Sequence, residues 1–152
     1  MSKNSIETLL WSIALPGFGQ LLNRKYIKGI TLILLELLIN IQANLNIAIL
    51  LSFQGDILSS IKETNYQWLM FYPCLYFFSM WDAFKDAGGG KSPFSFLPFV
   101  FAAYLVTIGI IYSAKITIFG VLFGPVFLPM VLVLPGVFIG LIVKRALIFL
   151  IK

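Results

Sequence analysis

From Ile116 to Val143 the chain runs for 28 residues without a charge. As a helix that segment measures about 42 Å at 1.5 Å per residue, against a bilayer hydrocarbon core of about 30 Å. A second uncharged segment, Phe94 to Ala114, precedes it across Lys115. The whole chain is 60% hydrophobic and 11% charged, with mean hydropathy +0.98; soluble domains carry about 45–50% apolar and about 25% charged residues. So few polar groups cannot cover a surface in water. Lipid, the alternative solvent, admits only helices or closed barrels. Barrel strands alternate apolar and polar positions, whereas runs such as Phe99–Val106 are continuous. The expectation is an all-α, polytopic membrane protein.

Length bounds the architecture. At about 20 residues per span, 152 residues hold four or five spans with short loops. The chain is therefore read as one integral membrane domain over residues 1–152, with no separate soluble part. The single cysteine, Cys74, excludes an internal disulfide and a cysteine cluster. The absence of histidine removes the commonest metal ligand and the side chain that titrates near neutral pH. No cofactor is expected. The net charge of +5 suits basic loops facing anionic lipid better than nucleic acid.

In chain order, Ile6 to Leu15 offers about 15 Å of helix, half a bilayer. Glu7 and the lack of a small-residue cleavage site before Pro16 argue against a secretory leader. Pro16 removes a donor and disfavours helix at Leu15, and Gly17 and Gly19 loosen the backbone. Arg24, Lys25 and Lys28 follow at once, a cytoplasmic marker. This N-terminal segment either re-enters or forms a fifth, kinked span. Gly29 to Ile39 is apolar except for Glu36, and polar residues from Asn40 onward bring the span to its end near Asn44.

Between Ile47 and Glu63 the apolar Ile47, Leu50, Leu51, Ile57, Leu58 and Ile61 gather on one helical face, with Ser52, Asp56, Ser59, Ser60 and Glu63 on the other. Gln54 interrupts the apolar face, and the pattern predicts an amphipathic helix on the membrane surface or, as the alternative, a polar-lined extension of the preceding span. Asn65 to Phe84 reads as a span kinked at Pro73, with Tyr66, Trp68 and Trp81 as interface aromatics. Lys85 to Pro93 is a glycine-rich loop, and the C-terminal helical part occupies about 94–152. If the Arg24–Lys28 loop, the Lys85–Lys91 loop and the C-terminus are all cytoplasmic, they carry eight of the 11 basic residues. The expected location is the cytoplasmic membrane of a cell, multi-pass, with the C-terminus inside.

Two carboxylates invite chemistry. Glu36 lies within an apolar run, where a charge is expensive and marks a candidate functional site. Asn40 and Asn44 share its face within an arc of about 80°, since four residues advance about 40°. A structural hydrogen bond between helices serves equally well. Asp82, beside Trp81, is a candidate partner for Arg24 or Lys25, or a solvated interface carboxylate. Nothing in the sequence places the two together, and two carboxylates alone do not make acid–base catalysis. Gly120/Gly124 and Gly136/Gly140 have the G-x-x-x-G spacing that lets helices approach, a spacing that chance also produces. Gly88-Gly89-Gly90-Lys91-Ser92 has neither the spacing nor the preceding strand of a nucleotide phosphate loop.

Pro16-Gly17-Phe18-Gly19-Gln20, then Lys28-Gly29, then Trp81-Asp82-Ala83-Phe84 resembles the P-G-L-G-Q…K-G…D-A-Y pattern of small bacterial integral membrane proteins. These are similar in turn to the two-transmembrane-helix domain family. The resemblance covers about residues 6–86 and departs from that domain at Arg24-Lys25-Tyr26 and in the insert around Asn44–Glu63. It implies a tight cytoplasmic turn with an aspartate near a helix end, and no reaction. The expected function is non-catalytic: binding of lipid, of another membrane protein or of a second copy. The alternative is a small proton- or ion-coupled transporter or channel using Glu36.

Overall fold

Helix α1 (Lys3–Ala14) hides its hydroxyl side chains and shows most of its apolar ones, with Asn4 and Glu7 also exposed. Ser5, Thr8 and Ser12 are buried, while Ile6, Leu10, Trp11 and Ile13 are exposed. The computed structural model describes residues 3–151; Met1, Ser2 and Lys152, the last one of the eight basic residues counted above, lie outside the described residues. The same inversion recurs throughout. Ile30, Leu34, Leu38 and Ile41 of α3 (Tyr26–Ala43) face outward, as do Leu134, Phe138 and Ile142 of α9 (Gly124–Ile151). A surface of this kind is stable in hydrocarbon and not in water. Among the described residues, α3 and α9 are long and apolar enough to cross a membrane.

Between α1 and α3 lies the short helix α2 (Phe18–Leu22), entered through Gly17 at φ 102°. A Cβ on Gly19 would lie 3.0 Å from the Thr8 carbonyl oxygen, so α2 doubles back along α1. Helix α3 ends at Asn44, whose left-handed conformation starts α4 (Leu45–Phe53). The Asn44 side-chain amide donates to the Glu63 carbonyl at 3.0 Å and fixes this corner.

The single surface helix expected over Ile47–Glu63 does not form. The chain turns at Gln54–Asp56, with Gly55 at φ 85°, and makes two short helices, α4 and α5 (Ile57–Glu63), packed on each other. The serine face is the contact: Ser52 and Ser60 hydroxyls lie 2.9 Å apart, and Ser60 donates to the Ala48 carbonyl at 2.9 Å. Leu50, Phe53 and Leu58 point outward instead. Asp56 caps α5 by accepting from the Ser59 amide, and the Ser59 hydrogen bonds hold its carboxyl below the usual carboxylate range. The expected continuous span from Asn65 is also divided. A one-turn helix α6 (Tyr66–Leu69) gives way at Met70–Phe71 to α7 (Tyr72–Asp86), and Pro73 sits in the first turn of α7 rather than at a kink. Proline lacks the donor that a first turn leaves unused.

Helix α8 (Leu97–Tyr112) and α9 pack antiparallel along most of α8. A Cβ on Gly136 would lie 2.7 Å from the Ala102 Cα, one on Gly140 2.6 Å from the Pro98 Cα, and one on Gly109 2.9 Å from the Pro129 Cα. Gly136 and Gly140 are thus an intramolecular helix seam. Gly120 plays no such part: it turns a two-residue hairpin, β1 (Thr117–Ile118) with β2 (Val121–Leu122), where Phe119 and Gly120 both have positive φ. The core, Ala43, Leu69, Phe77, Met80, Ala102 and Val106 among others, lies where α3, α6, α7 and α8 meet.

Candidate functional site

The segment from Ile13 to Asn23 is hydrogen-bonded to α7 at Ile13, Gly17, Gln20 and Asn23. Leu15–Gly17 leaves backbone groups without helical partners, and buried backbone groups need partners. Ser79 supplies one for the Gly17 N–H, and Gln20 and Asp82 complete the network around it. The Gly17 N–H donates to Ser79 Oγ at 3.1 Å. The side chain of Gln20, fully buried, donates from Nε2 to the Ser79 carbonyl at 2.9 Å and to Asp82 Oδ2 at 3.1 Å. Ser79 Oγ donates to Gln20 Oε1 at 3.4 Å, and Asn23 Nδ2 donates to the Ala83 carbonyl at 2.8 Å. Tyr76 donates its hydroxyl hydrogen to the Ile13 carbonyl.

Close approach explains the glycines. Gly17 stands against α3, where a Cβ would lie 2.5 Å from the Gly29 carbonyl oxygen; one on Gly19 would lie 2.6 Å from the Ala83 Cβ. Pro16 is fully buried at the apex. Small residues on α1, α3 and α7 thus let three helices converge on one loop.

Asp82 belongs to this cap, with a cation other than those expected. Lys28 Nζ lies 2.8 Å from Asp82 Oδ1 and 3.4 Å from Asp86 Oδ2. Arg24 and Lys25 are exposed, and among the described residues neither forms an ion pair. Arg24 has φ 60° at the end of α2 and Lys25 precedes α3, whereas Lys28 is in the first turn of α3, the helix that packs on α7. Gln20, Asn23 and Ser79 were not singled out from sequence. The available signal was Gln20 ending the Pro16–Gln20 motif and Ser79 one turn before Asp82.

Glu36 stands apart from the cap, two turns further along α3. It is 4% exposed and accepts from Asn40 Nδ2 at 3.5 Å, a long hydrogen bond. Asn40 also donates to Asn46 Oδ1 at 3.2 Å, and Tyr72 is within electrostatic reach of Glu36. Asn44 turns away to the Glu63 carbonyl. The expected face of Glu36, Asn40 and Asn44 is therefore a pair plus a corner. Among the described residues no three metal-ligating side chains come together.

A cleft of about 510 Å³ opens between α7, α8 and α9, with α1 and α4 at its edge. Its walls are apolar, built from Phe77, Met80, Val106, Ile110 and Val133, with Tyr72 as a polar rim. Ile13, Met130 and Leu134 at its mouth are exposed. No family model matches this chain, no characterised protein or solved structure matches it, and the resemblance drawn from Pro16–Gln20 is not borne out by these comparisons.

Proposed function

We propose that this is a multi-pass protein of the bacterial cytoplasmic membrane that binds lipid and performs no chemistry of its own. The spans are α3, α7 with α6, α8 and α9, and α1 with α2 is a re-entrant hairpin. This reading puts both chain ends at the cytoplasmic face. Its support is the gathering of Arg24, Lys25, Lys28, Lys85 and Lys91 around the Asp82 end, as positive-inside loops require. The turn at Gly17 then reaches into the membrane with its polar groups satisfied by α7, the condition for irregular backbone at that depth.

The observation that carries the lipid assignment is the apolar cleft of about 510 Å³, whose mouth is ringed by exposed apolar side chains. Such a cleft suits an acyl chain. Native mass spectrometry of the protein, purified in mild detergent, tests it: one or more phospholipids should stay bound, and Val133→Trp, which fills the cleft, should release them. Stoichiometric recovery of another protein or of a second copy, with no lipid retained, would replace this function with protein binding.

The transporter or channel reading is favoured by one observation, the buried carboxylate of Glu36 with its single long side-chain partner. Glu36 does not line the cleft. pH-dependent proton or ion flux in liposomes, abolished in Glu36→Gln, would establish that reading instead.

A further inference from the structure

At the Asp82 end of the molecule a second cavity, of about 500 Å³, lies between the end of α7, the Gly88–Ser92 loop, the start of α8 and the last third of α9. Its polar wall carries Lys91, Ser92, Ser95 and Lys144, and its apolar wall carries Phe99 and Leu141. No acidic residue lines it.

Lys144 is the centre of the polar wall. Its ammonium donates to Ser92 Oγ at 2.8 Å and to Ser95 Oγ at 3.0 Å. The two hydroxyls are 2.7 Å apart, and Ser95 donates to the Ser92 carbonyl at 2.7 Å. An ammonium has three protons, so one remains for a ligand. Because Ser95 uses its hydrogen on the Ser92 carbonyl, the Ser92 hydrogen makes the bond between the two hydroxyls, and both serines serve to orient the ammonium. Among the described residues Lys144 and Lys91 have no carboxylate partner, since both ion pairs present belong to Lys28. Two lysines therefore line the cavity without a carboxylate counter-ion.

The loop that completes the cavity is seated against the protein. A Cβ on Gly89 would lie 2.6 Å from the Phe84 ring, and one on Gly90 2.5 Å from the Trp81 ring. Trp81 and Phe84 pack in turn against Phe99, with their rings tilted to it. The backbone of the loop is thus held flat on an aromatic floor, and Lys91 is carried to the cavity edge.

We infer that this cavity binds the phosphate of an anionic phospholipid headgroup, with Lys144 and Lys91 as its donors and Phe99 and Leu141 against the glycerol and upper acyl carbons. Phosphate is the headgroup anion that two lysine ammonium groups satisfy with charge-assisted hydrogen bonds. The apolar wall selects a lipid over a free anion. The inference rests on the lipid-binding reading above and adds headgroup selectivity at a separate place.

The test uses the full chain, purified and delipidated in detergent, titrated with phosphatidylglycerol and phosphatidylcholine and read by native mass spectrometry. Phosphatidylglycerol should bind more tightly than phosphatidylcholine. Lys144→Gln should weaken it about fivefold or more, the worth of one lysine beside an anionic surface. Lys144→Arg should retain most of the affinity, and Lys115→Gln, at the other end of α8, should change nothing. Unfolding temperature in the same detergent identifies any variant that fails to fold, and for such a variant Lys91→Gln takes its place. Equal binding of the two lipids would overturn headgroup selectivity and leave the cleft assignment standing. Absence of both lipids would overturn the cleft assignment as well. Saturation by inorganic phosphate at concentrations that displace the lipid would make this a free-anion site and overturn the lipid assignment.

Discussion

Lys28 and Asp82 meet at 2.8 Å with unequal surroundings: the lysine side chain is 51% exposed and the carboxylate 18%. The pair is therefore worth more to one partner than to the other. Without Asp82, Gln20 Nε2 loses one of its two acceptors and Lys28 its nearer anion. Without Lys28, Asp82 keeps Gln20 and gains water. Asp82→Ala should cost about 1–3 kcal/mol, the range for a hydrogen-bonded charge, and Lys28→Ala less than about 1 kcal/mol, as for an exposed pair. Unfolding in detergent measures both, and a larger loss for Lys28→Ala would contradict the cap geometry.

Gly17 and Gly88 both have positive φ, 102° and 80°, but only Gly17 has neighbours within reach of a Cβ. Gly88→Ala should cost about 1 kcal/mol, the intrinsic penalty for a left-handed residue. Gly17→Ala adds a collision with the Gly29 carbonyl and should cost roughly 3 kcal/mol or more. Equal losses in thermal unfolding would mean that the turn does not pack on α3.

Cysteine labelling checks the α4–α5 hairpin and the topology together. In a Cys74→Ser background, Ser60→Cys should resist a membrane-impermeant maleimide in intact cells, because Ser60 is fully buried. The exposed positions of Lys62→Cys and Gln54→Cys should react from outside, and Lys85→Cys only after the inner face is opened. Ser60→Cys reacting as fast as Lys62→Cys would restore a single surface helix. Lys85→Cys reacting from outside would refute the arrangement of four spans.

Glu36→Gln keeps an acceptor for Asn40 and should leave the fold and membrane insertion intact. Glu36→Leu removes it and should lower stability by roughly 0.5–2 kcal/mol, the range of membrane side-chain hydrogen bonds. Resistance to unfolding by sodium dodecyl sulfate separates the two variants. A gain of stability in Glu36→Leu would show that the buried carboxylate is not a structural tie.

Much of the site was legible because its residues break rules locally. Pro16, Gly17 and Gly19 interrupt an apolar run, and Asp82 is a carboxylate beside an aromatic belt. The identity of its cation was not legible: Arg24, Lys25 and Lys28 all lie within five residues of one another, and only the packing of α3 on α7 selects Lys28. The serine faces misled for a different reason. Serine and threonine can bond their own helix, as Ser12 does to the Thr8 carbonyl, Thr64 to the Ser60 carbonyl and Thr107 to the Ala103 carbonyl. Ser52 and Ser60 are satisfied instead across the α4–α5 hairpin, by each other and by the Ala48 carbonyl. Satisfied either way, such residues need no water and are small enough to sit between helices. The α4–α5 hairpin hides that face inward, whereas periodicity alone assigns it to solvent. Pro73 fits a kink and a helix start equally well, so the division of α6 from α7 had no separate sequence signal.

The bonds that satisfy the Gly17 turn span 59 to 62 residues of sequence. At ribosomal speeds of about 5–20 residues per second, Ser79 and Asp82 emerge roughly 3–12 s after Gly17 and Gln20. During that interval the turn has no α7 to bond, and lipid would leave its amides bare. If α7 spans and the N-terminal hairpin re-enters, as proposed above, that hairpin waits at the wet face of the membrane until α7 inserts and then sinks beside it. On the same proposal a chain truncated before Ser79 is left with its first helices at the surface, exposed to the proteases that clear unfinished membrane proteins.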